Sequence, residues 1–310
     1  MNDSLVFDSF LKRSLLLGLA WVSSQLQEFS INRGRQVVSS EQDITRIKPI
    51  SELALTVWLL KRCGVQLPIL DEIAKWMWQE CDHGQYLTHL LLARNDFLPC
   101  CAFYASLYKL GYRSKRLHAV LKMLSQSDMA KVLPLQPWSH LALYYNLWQL
   151  GLSKRPTTWR ASLYVEACPE PWVVSAEVAY AITHEVFYLS DFGFRPLRSQ
   201  RIISYLRIWI PYWTNVFISD CNNDVAGELA MIWSCVGSGF CSSFEHPLVA
   251  VLENQCEDGS VTGPDGAGTF LYTDKDSPQR RKFLACYHTT LVIMMAAAMA
   301  LRINSISKQQ

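Results

Sequence analysis

The sequence has few charged residues and no apolar run long enough to cross a bilayer. Only 18% of its 310 residues are charged, half are apolar, and the formal net charge is +2. A nearly neutral chain without a basic stripe argues against a nucleic-acid partner. The most apolar run near an end, 291–301, is far shorter than the roughly 20 residues that a membrane-spanning helix needs. We therefore predict a cytoplasmic protein with no nucleic-acid partner and no membrane span.

Two kinds of local motif are also missing. The ten cysteines include no C-x-x-C pair, so their spacing predicts neither a zinc ribbon nor a disulfide framework. Most of them, such as Cys100 and Cys101, lie among apolar residues, which is typical of small buried side chains in a reducing compartment. The glycine-rich stretch 259–268 is not followed by a helix that starts with Lys-Ser or Lys-Thr, so it is not a phosphate-binding loop. It is predicted to be a connector or a lid.

Apolar residues recur at helical spacing along almost the whole chain, and strand-like alternation is nearly absent. The sequence therefore predicts an all-α protein. The predicted helices are 5–29, 51–63, 70–80, 102–110, 114–124, 139–150, 175–189, 199–217, 225–235, 245–254 and 281–301. Pro211 is expected to kink or split the eighth of these, because proline removes a backbone hydrogen bond inside a helix.

Several predicted helices end just before a glycine, which readily adopts the left-handed backbone found at helix ends. The glycines are Gly64, Gly111, Gly151, Gly193 and Gly237. Their spacing leaves room for one helical hairpin each, and a further apolar helix at 287–301 completes the series. The sequence therefore predicts one domain over 1–310, an α/α toroid of about six hairpins around a central cavity. An open solenoid of helix pairs is the alternative.

Polar candidates appear only in the later repeats. Nine residues before their glycines, the first three repeats have Leu55, Ala102 and Ala142, whereas the next two have His184 and Glu228. His288 lies at the matching place near the start of the sixth helix. Two imidazoles and a carboxylate are the ligands of many mononuclear metal sites, and they equally suit acid–base catalysis. We predict His184, Glu228 and His288 as catalytic residues and as ligands of one divalent ion, zinc or iron.

Three further residues belong to the predicted catalytic set. Asp191 follows His184 by seven residues, about 10 Å along the same helical face, so the two are not expected to share an ion. Asp191 is expected to contact a substrate or to cap a neighbouring helix. Tyr188 and Tyr287 are candidate hydroxyl donors, with core packing as the alternative.

Asp224 lies one helical turn before Glu228, so the two carboxylates can share a face. Paired carboxylates are the machinery of glycoside hydrolysis. Asp224 also belongs to a run that contains Asp220, Asn222 and Asn223, all good N-cap residues. Helix capping is therefore the favoured interpretation of this run.

Three short motifs resemble those of known toroids. The segment QCEDGSVTG (255–263) resembles the Q…DGS-x-x-G turns of terpenoid cyclases and protein prenyltransferases. CYHTT (286–290) is similar to the helix start of prenyltransferase β subunits, whose histidine binds zinc, and THEVFYLSDFG (183–193) resembles a T-H-E-x-F-Y-x-[ST]-D-F-G stretch of uncharacterised bacterial toroid-like proteins. The resemblance implies a toroid and zinc binding by His288. The Asp and Cys of the prenyltransferase zinc site have no counterpart, so protein farnesylation does not follow.

Three functions stay open at this point. The first is an enzyme of natural-product biosynthesis, of cyclase, lyase or transferase type. It would act on a small hydrophobic molecule or a modified peptide by metal-assisted or His/carboxylate acid–base chemistry. The second is a carbohydrate-active toroid that uses Asp191, Asp224 or Glu228. The third is a non-catalytic helical-repeat binding module, and the oligomeric state is left open in all three.

Overall fold

A computed structural model describes residues 3–31, 40–93, 97–127, 133, 135–156, 163–236, 242–272 and 276–307. Helices account for 75% of the chain, and the described residues contain no strand. The predicted all-α class is confirmed. The chain forms two compact units, one of Leu26–Arg62 and Gln66–Ala161 and one of Met1–Gln25, Cys63–Val65 and Ser162–Gln310. We call them the inserted unit and the discontinuous unit. The toroid and the single domain over 1–310 stay predictions.

The described part of the chain contains thirteen α-helices, which we number in chain order. They are α1 Asp3–Ser24, α2 Ser40–Arg62, α3 Pro68–Glu80, α4 Gln85–Ala93, α5 Phe97–Lys109, α6 Lys115–Gln126, α7 Pro137–Gln149, α8 Tyr164–Ala167, α9 Ala176–Ser190, α10 Gln200–Ser219, α11 Asn223–Trp233, α12 Ser242–Glu253 and α13 Pro278–Ser307. All eleven predicted helices have a counterpart in this series. Only α4 and the short α8 have no predicted equivalent.

The inserted unit contains α2 to α7. Its α5 packs against both α2 and α7, while α4 packs against α5 and α6. The aromatic side chains Phe97, Phe103 and Tyr104 of α5 are almost completely buried in this unit. Apolar burial of this kind is what stabilises such a helix array.

The discontinuous unit contains α1 and α8 to α13, and α11 is its central helix. α11 packs against α9, α10, α12 and α13, and α13 packs against α1. The approach of α11 to α13 is close, because a Cβ added at Gly227 would lie 2.7 Å from Val292 Cγ1. This contact positions the polar side chains described below.

Helix α13 passes the length and composition test for a membrane span over Pro278–Ile306, the one such helix found among the described residues. However, 83% of its most apolar window is buried inside the protein. The core helix of a water-soluble protein has the same composition, because it too is surrounded by apolar side chains. The helix is therefore not evidence of a membrane span.

The predicted helix ends at glycines and the predicted effect of Pro211 agree with the structure in part. Gly64, Gly111, Gly151 and Gly193 all have a positive φ, as expected of helix stops, whereas Gly237 lies outside the described residues. Pro211 lies inside α10, which continues from Gln200 to Ser219, so the expected split does not occur. Proline costs the helix one hydrogen bond. Packing of α10 along α11 and α12 supports the helix on both sides of that position.

The toroid-like segment 255–263 is held against two helices of the discontinuous unit. Gln255 Nε2 donates to the backbone carbonyl of Ser14 in α1 at 3.1 Å. The Val261 N–H donates to Thr290 Oγ1 of α13 at 2.9 Å. These hydrogen bonds tie the segment, which connects α12 to α13 along the chain, to both α1 and α13. The lid interpretation of 259–268 stays a prediction.

Candidate functional site

Three helices of the discontinuous unit place polar side chains at one point. Helix α9 contributes Thr183 and His184, α11 contributes Asp224 and Glu228, and α13 contributes His288. Glu228 Oε2 lies 3.4 Å from His184 Nδ1, and Glu228 Oε1 lies 3.8 Å from His288 Nε2. The structure thus brings together the three residues that the sequence singled out, with Glu228 in contact with both histidines.

Asp224 belongs to this cluster and is not the helix cap. Asn222 is the N-cap of α11, since its side-chain oxygen accepts a hydrogen bond from the Val225 N–H at 3.2 Å. Asp224 Oδ1 lies 3.2 Å from His288 Nε2. That oxygen is buried, yet no group of the described structure makes a hydrogen bond to it. A buried carboxylate oxygen that accepts no hydrogen bond is costly, which favours a further group at this position.

A divalent ion would satisfy this oxygen. The ligand atoms of Asp224, Glu228 and His288 all lie within 4.8 Å of one another. Four donors around a tetrahedral zinc ion, each about 2.0–2.1 Å from it, lie about 3.3 Å apart. Distances of 3.2 and 3.8 Å from His288 Nε2 to the two carboxylates are close to that spacing. His184 lies beside Glu228 and outside this group of three.

Glu228 Oε2 lies next to Thr183 and His184. The Thr183 hydroxyl is within hydrogen-bond reach of Glu228 Oε2 and lies 2.8 Å from the Tyr180 carbonyl. His184 Nδ1 lies 2.9 Å from the same carbonyl. The hydroxyl has one proton, so donation by Thr183 to Glu228 and by the His184 Nδ1–H to Tyr180 satisfies both acceptors. In that pattern the proton on His184 Nδ1 faces the Tyr180 carbonyl.

Glu228 is ionised at neutral pH although only 2% of the residue is exposed. Burial alone would raise the pKa of this carboxyl group. The nearby charges and hydrogen bonds of His184 and His288 outweigh burial and lower the pKa of Glu228 to about 2. Glu228 therefore supplies a negative charge near neutral pH, which favours a bound cation.

Glu185, the neighbour of His184 in the chain, has a different role that the sequence analysis missed. Its carboxylate is completely buried and accepts hydrogen bonds from the Val165 N–H at 2.8 Å and the Tyr164 N–H at 3.2 Å. Burial raises the pKa of Glu185 to about 7, although the two backbone N–H groups act in the opposite direction. Glu185 thus attaches α8 to α9. The sequence feature that could have indicated this role is an acidic residue within the apolar run of α9.

Replacing Glu185 by glutamine should flatten the pH dependence of stability. Folded Glu185 keeps its proton up to about pH 7, whereas the unfolded side chain loses it near its ordinary value of 4.5. The folded state therefore binds more protons between these values, and stability falls as pH rises through this window. The loss amounts to roughly 3 kcal/mol. Urea unfolding at both ends of the window should show it in the wild type and in Glu177→Gln, an exposed control, and not in Glu185→Gln.

Asp191 lies at the C-terminal end of α9, seven residues after His184. It ends the helix in the left-handed conformation, with φ 54°, and its backbone N–H bonds to the Phe187 carbonyl. Its buried carboxylate lies 3.7 Å from Arg195 Nε. Asp191 therefore caps its own helix and not a neighbouring one, and its expected contact with a substrate stays a prediction.

The two predicted tyrosines differ in their surroundings. The ring of Tyr188 lies 6.1 Å from that of His184, edge to face. Tyr287 is 1% exposed and stacks on Phe283, with ring centres 5.4 Å apart. Tyr188 is thus a neighbour of the cluster, and Tyr287 packs in the core, the alternative that the sequence left open.

Comparison with known proteins gives a family and no activity. No curated protein and no solved structure matches the chain. A family model matches residues 15–298, a range that includes every residue of the cluster. Because this match spans most of the sequence, the chain belongs to the family described as a domain of unknown function, DUF6895.

Proposed function

We propose that this protein is a metal-dependent enzyme that binds one divalent ion between Asp224, Glu228 and His288. A single observation carries the proposal: the buried Asp224 Oδ1 has no hydrogen-bond partner in the described structure and lies 3.2 Å from His288 Nε2. An ion between these two atoms would satisfy the oxygen and use the imidazole as a ligand. Mixed carboxylate and imidazole donors suit zinc or iron.

The surrounding residues support acid–base chemistry beside the ion. A bound zinc or iron ion would polarise a substrate or lower the pKa of a bound water. Asp224 and Glu228 together offset its double positive charge. The imidazole of His184 lies 3.4 Å from Glu228 and is the candidate for proton transfer beside the ion.

An apolar substrate fits the aromatic surroundings of His184. The rings of Tyr180, Phe187 and Tyr188 lie 4.0, 5.7 and 6.1 Å from the imidazole. Aromatic walls with a few placed polar groups are typical of sites for small apolar molecules. The proposed substrate is a hydrophobic small molecule or a modified peptide, in a biosynthetic reaction.

The two rival functions have less support. Glycosidases place their carboxyl groups on opposite sides of the scissile bond. Asp224 and Glu228 lie one turn apart on α11, with oxygens within 4.8 Å, an arrangement suited to sharing one cation. A non-catalytic binding module does not require a buried charged cluster, and such a cluster costs stability unless its charges are satisfied.

Metal analysis tests the proposal directly. Purified protein is expected to contain one zinc or iron ion per chain by mass spectrometry, and the stripped protein to bind Zn²⁺ in calorimetric titration. His288→Ala should weaken Zn²⁺ binding by more than about 100-fold, since it removes a ligand. His89→Ala, which removes an exposed histidine, is the matched control. Stripped wild-type protein that binds none of Zn²⁺, Fe²⁺ and Mn²⁺ would refute the proposal.

A further inference from the structure

Helix α10 exposes a row of large apolar side chains. Ile208, Tyr212 and Val216 follow one another at four-residue spacing and are 55%, 63% and 54% exposed. The turn before α9 adds Trp172 and Val173, which are 80% and 53% exposed. We call these five residues the α10 face.

The turn and the helix form one continuous surface. The Trp213 indole N–H donates to the Pro171 carbonyl at 3.3 Å, which holds the turn along α10. Val174 and Val216 also line a common hollow of about 430 Å³. The turn that bears Trp172 and Val173 therefore runs alongside α10.

This concentration of apolar surface is unusual for a face with no partner. Twelve large apolar side chains are exposed among the described residues, and five of them belong to the α10 face. Single exposed apolar residues are ordinary, but contiguous apolar patches mark interaction sites. Tryptophan and tyrosine are also the residues that contribute most at protein interfaces.

The two ends of the α10 face have opposite charge. Arg198 and Arg201 are exposed at the N-terminal end of α10. Asp220 and Asp265 are exposed at the C-terminal end, where both line the hollow. A helix of this length spans about 30 Å, so the two charged ends are well separated.

We propose that the α10 face binds the same face of a second copy of the chain, with the two α10 helices antiparallel across a two-fold axis. In this arrangement the apolar centres meet. The arginine end of each copy lies over the aspartate end of the other, so the charges are complementary. A parallel arrangement would bring like charges together. The face is therefore complementary to itself, which a surface for an unrelated partner need not be.

Light scattering coupled to size-exclusion chromatography tests the dimer on the full chain. Wild-type protein should elute as a dimer, and the double variant Ile208→Glu, Tyr212→Glu as a monomer. We expect the dimer dissociation constant to rise by at least about 100-fold, because two central side chains are lost. Leu92→Glu, which changes an equally exposed leucine elsewhere, should stay dimeric. Circular dichroism checks that each variant keeps its helices.

Charge reversal tests the antiparallel orientation and the identity of the partner. Arg198→Glu with Arg201→Glu, and separately Asp220→Lys with Asp265→Lys, should each weaken the dimer, because like charges then face each other. An equimolar mixture of the two variants should form heterodimers, in which opposite charges meet at both ends. A monomeric wild type, a dimer that survives the Ile208 and Tyr212 changes, or a mixture that stays monomeric would overturn the proposal.

Discussion

Glu228→Gln is expected to lower the affinity for Zn²⁺ by more than about 100-fold while leaving the helical fold in place. Glutamine keeps the volume of the side chain and loses the negative charge that the cation needs. Removing an outer partner of a metal ligand already costs about 10–100-fold in affinity, so removing a ligand costs more. Calorimetric titration with Zn²⁺ measures the effect, and circular dichroism measures the fold.

Two substitutions of Thr183 test whether its hydroxyl positions Glu228, the proposed metal ligand. Thr183 holds Glu228 Oε2 and leaves Oε1 on the side of His288. Thr183→Val keeps the shape of this completely buried side chain and removes the hydroxyl, so Zn²⁺ affinity should fall by about 10–100-fold. Thr183→Ser restores a hydroxyl and should recover most of the affinity. Equal affinities in the valine and serine variants would show that the hydroxyl does not position Glu228.

Gly259→Ala is expected to destabilise the protein by about 2–5 kcal/mol, from left-handed strain and steric overlap together. Gly259 has φ 89°, and a Cβ there would lie 2.1 Å from the Leu17 carbonyl oxygen and 2.6 Å from its carbon. Both atoms belong to the backbone of α1, which cannot turn aside as a side chain can. The substitution should therefore force the connector away from α1.

Gly266→Ala is the matched control for this clash. Gly266 has a similar φ of 80°, but a Cβ there would meet nothing within 4 Å. Only the backbone strain of about 1–2 kcal/mol should appear. Urea unfolding of both variants measures the difference. Equal losses of stability would mean that the approach of Gly259 to α1 is not tight.

The sequence was a good guide to local structure because helix formation depends on nearby residues. The 3.6-residue period located every predicted helix, and four glycine stops have the positive φ expected of them. The missed helix α4 starts directly after a short 3₁₀ turn, Asp82–Gly84, so its pattern had no clear boundary. Pro211 does not split α10, because the helix packs along two others and a local rule does not include packing; a kink there stays a prediction.

The site was predictable only in part, since its members come from three helices. His184, Glu228 and His288 stood out as polar residues at matching places in apolar repeats. Asp224 was assigned to capping because local sequence cannot show that Asn222 takes the cap while His288, far along the chain, approaches Asp224. The role of Thr183 could not be predicted, because its contact with Glu228 depends on the packing of α9 on α11.

The packing of α1 against α13 has a consequence for how the protein is made. The apolar side chains Leu11, Leu15, Leu19 and Val22 of α1 are buried, and α13 is the helix on which α1 packs most extensively. Of the described helices, α1 is synthesised first and α13 last, and the whole inserted unit lies between them in the sequence. Contacts between such distant segments form slowly. Apolar surface that stays exposed until its partner helix has been synthesised is prone to aggregation. Of the described helices, the first to be synthesised is thus among the last to be buried, which makes the time before α13 is synthesised the vulnerable stage of biosynthesis.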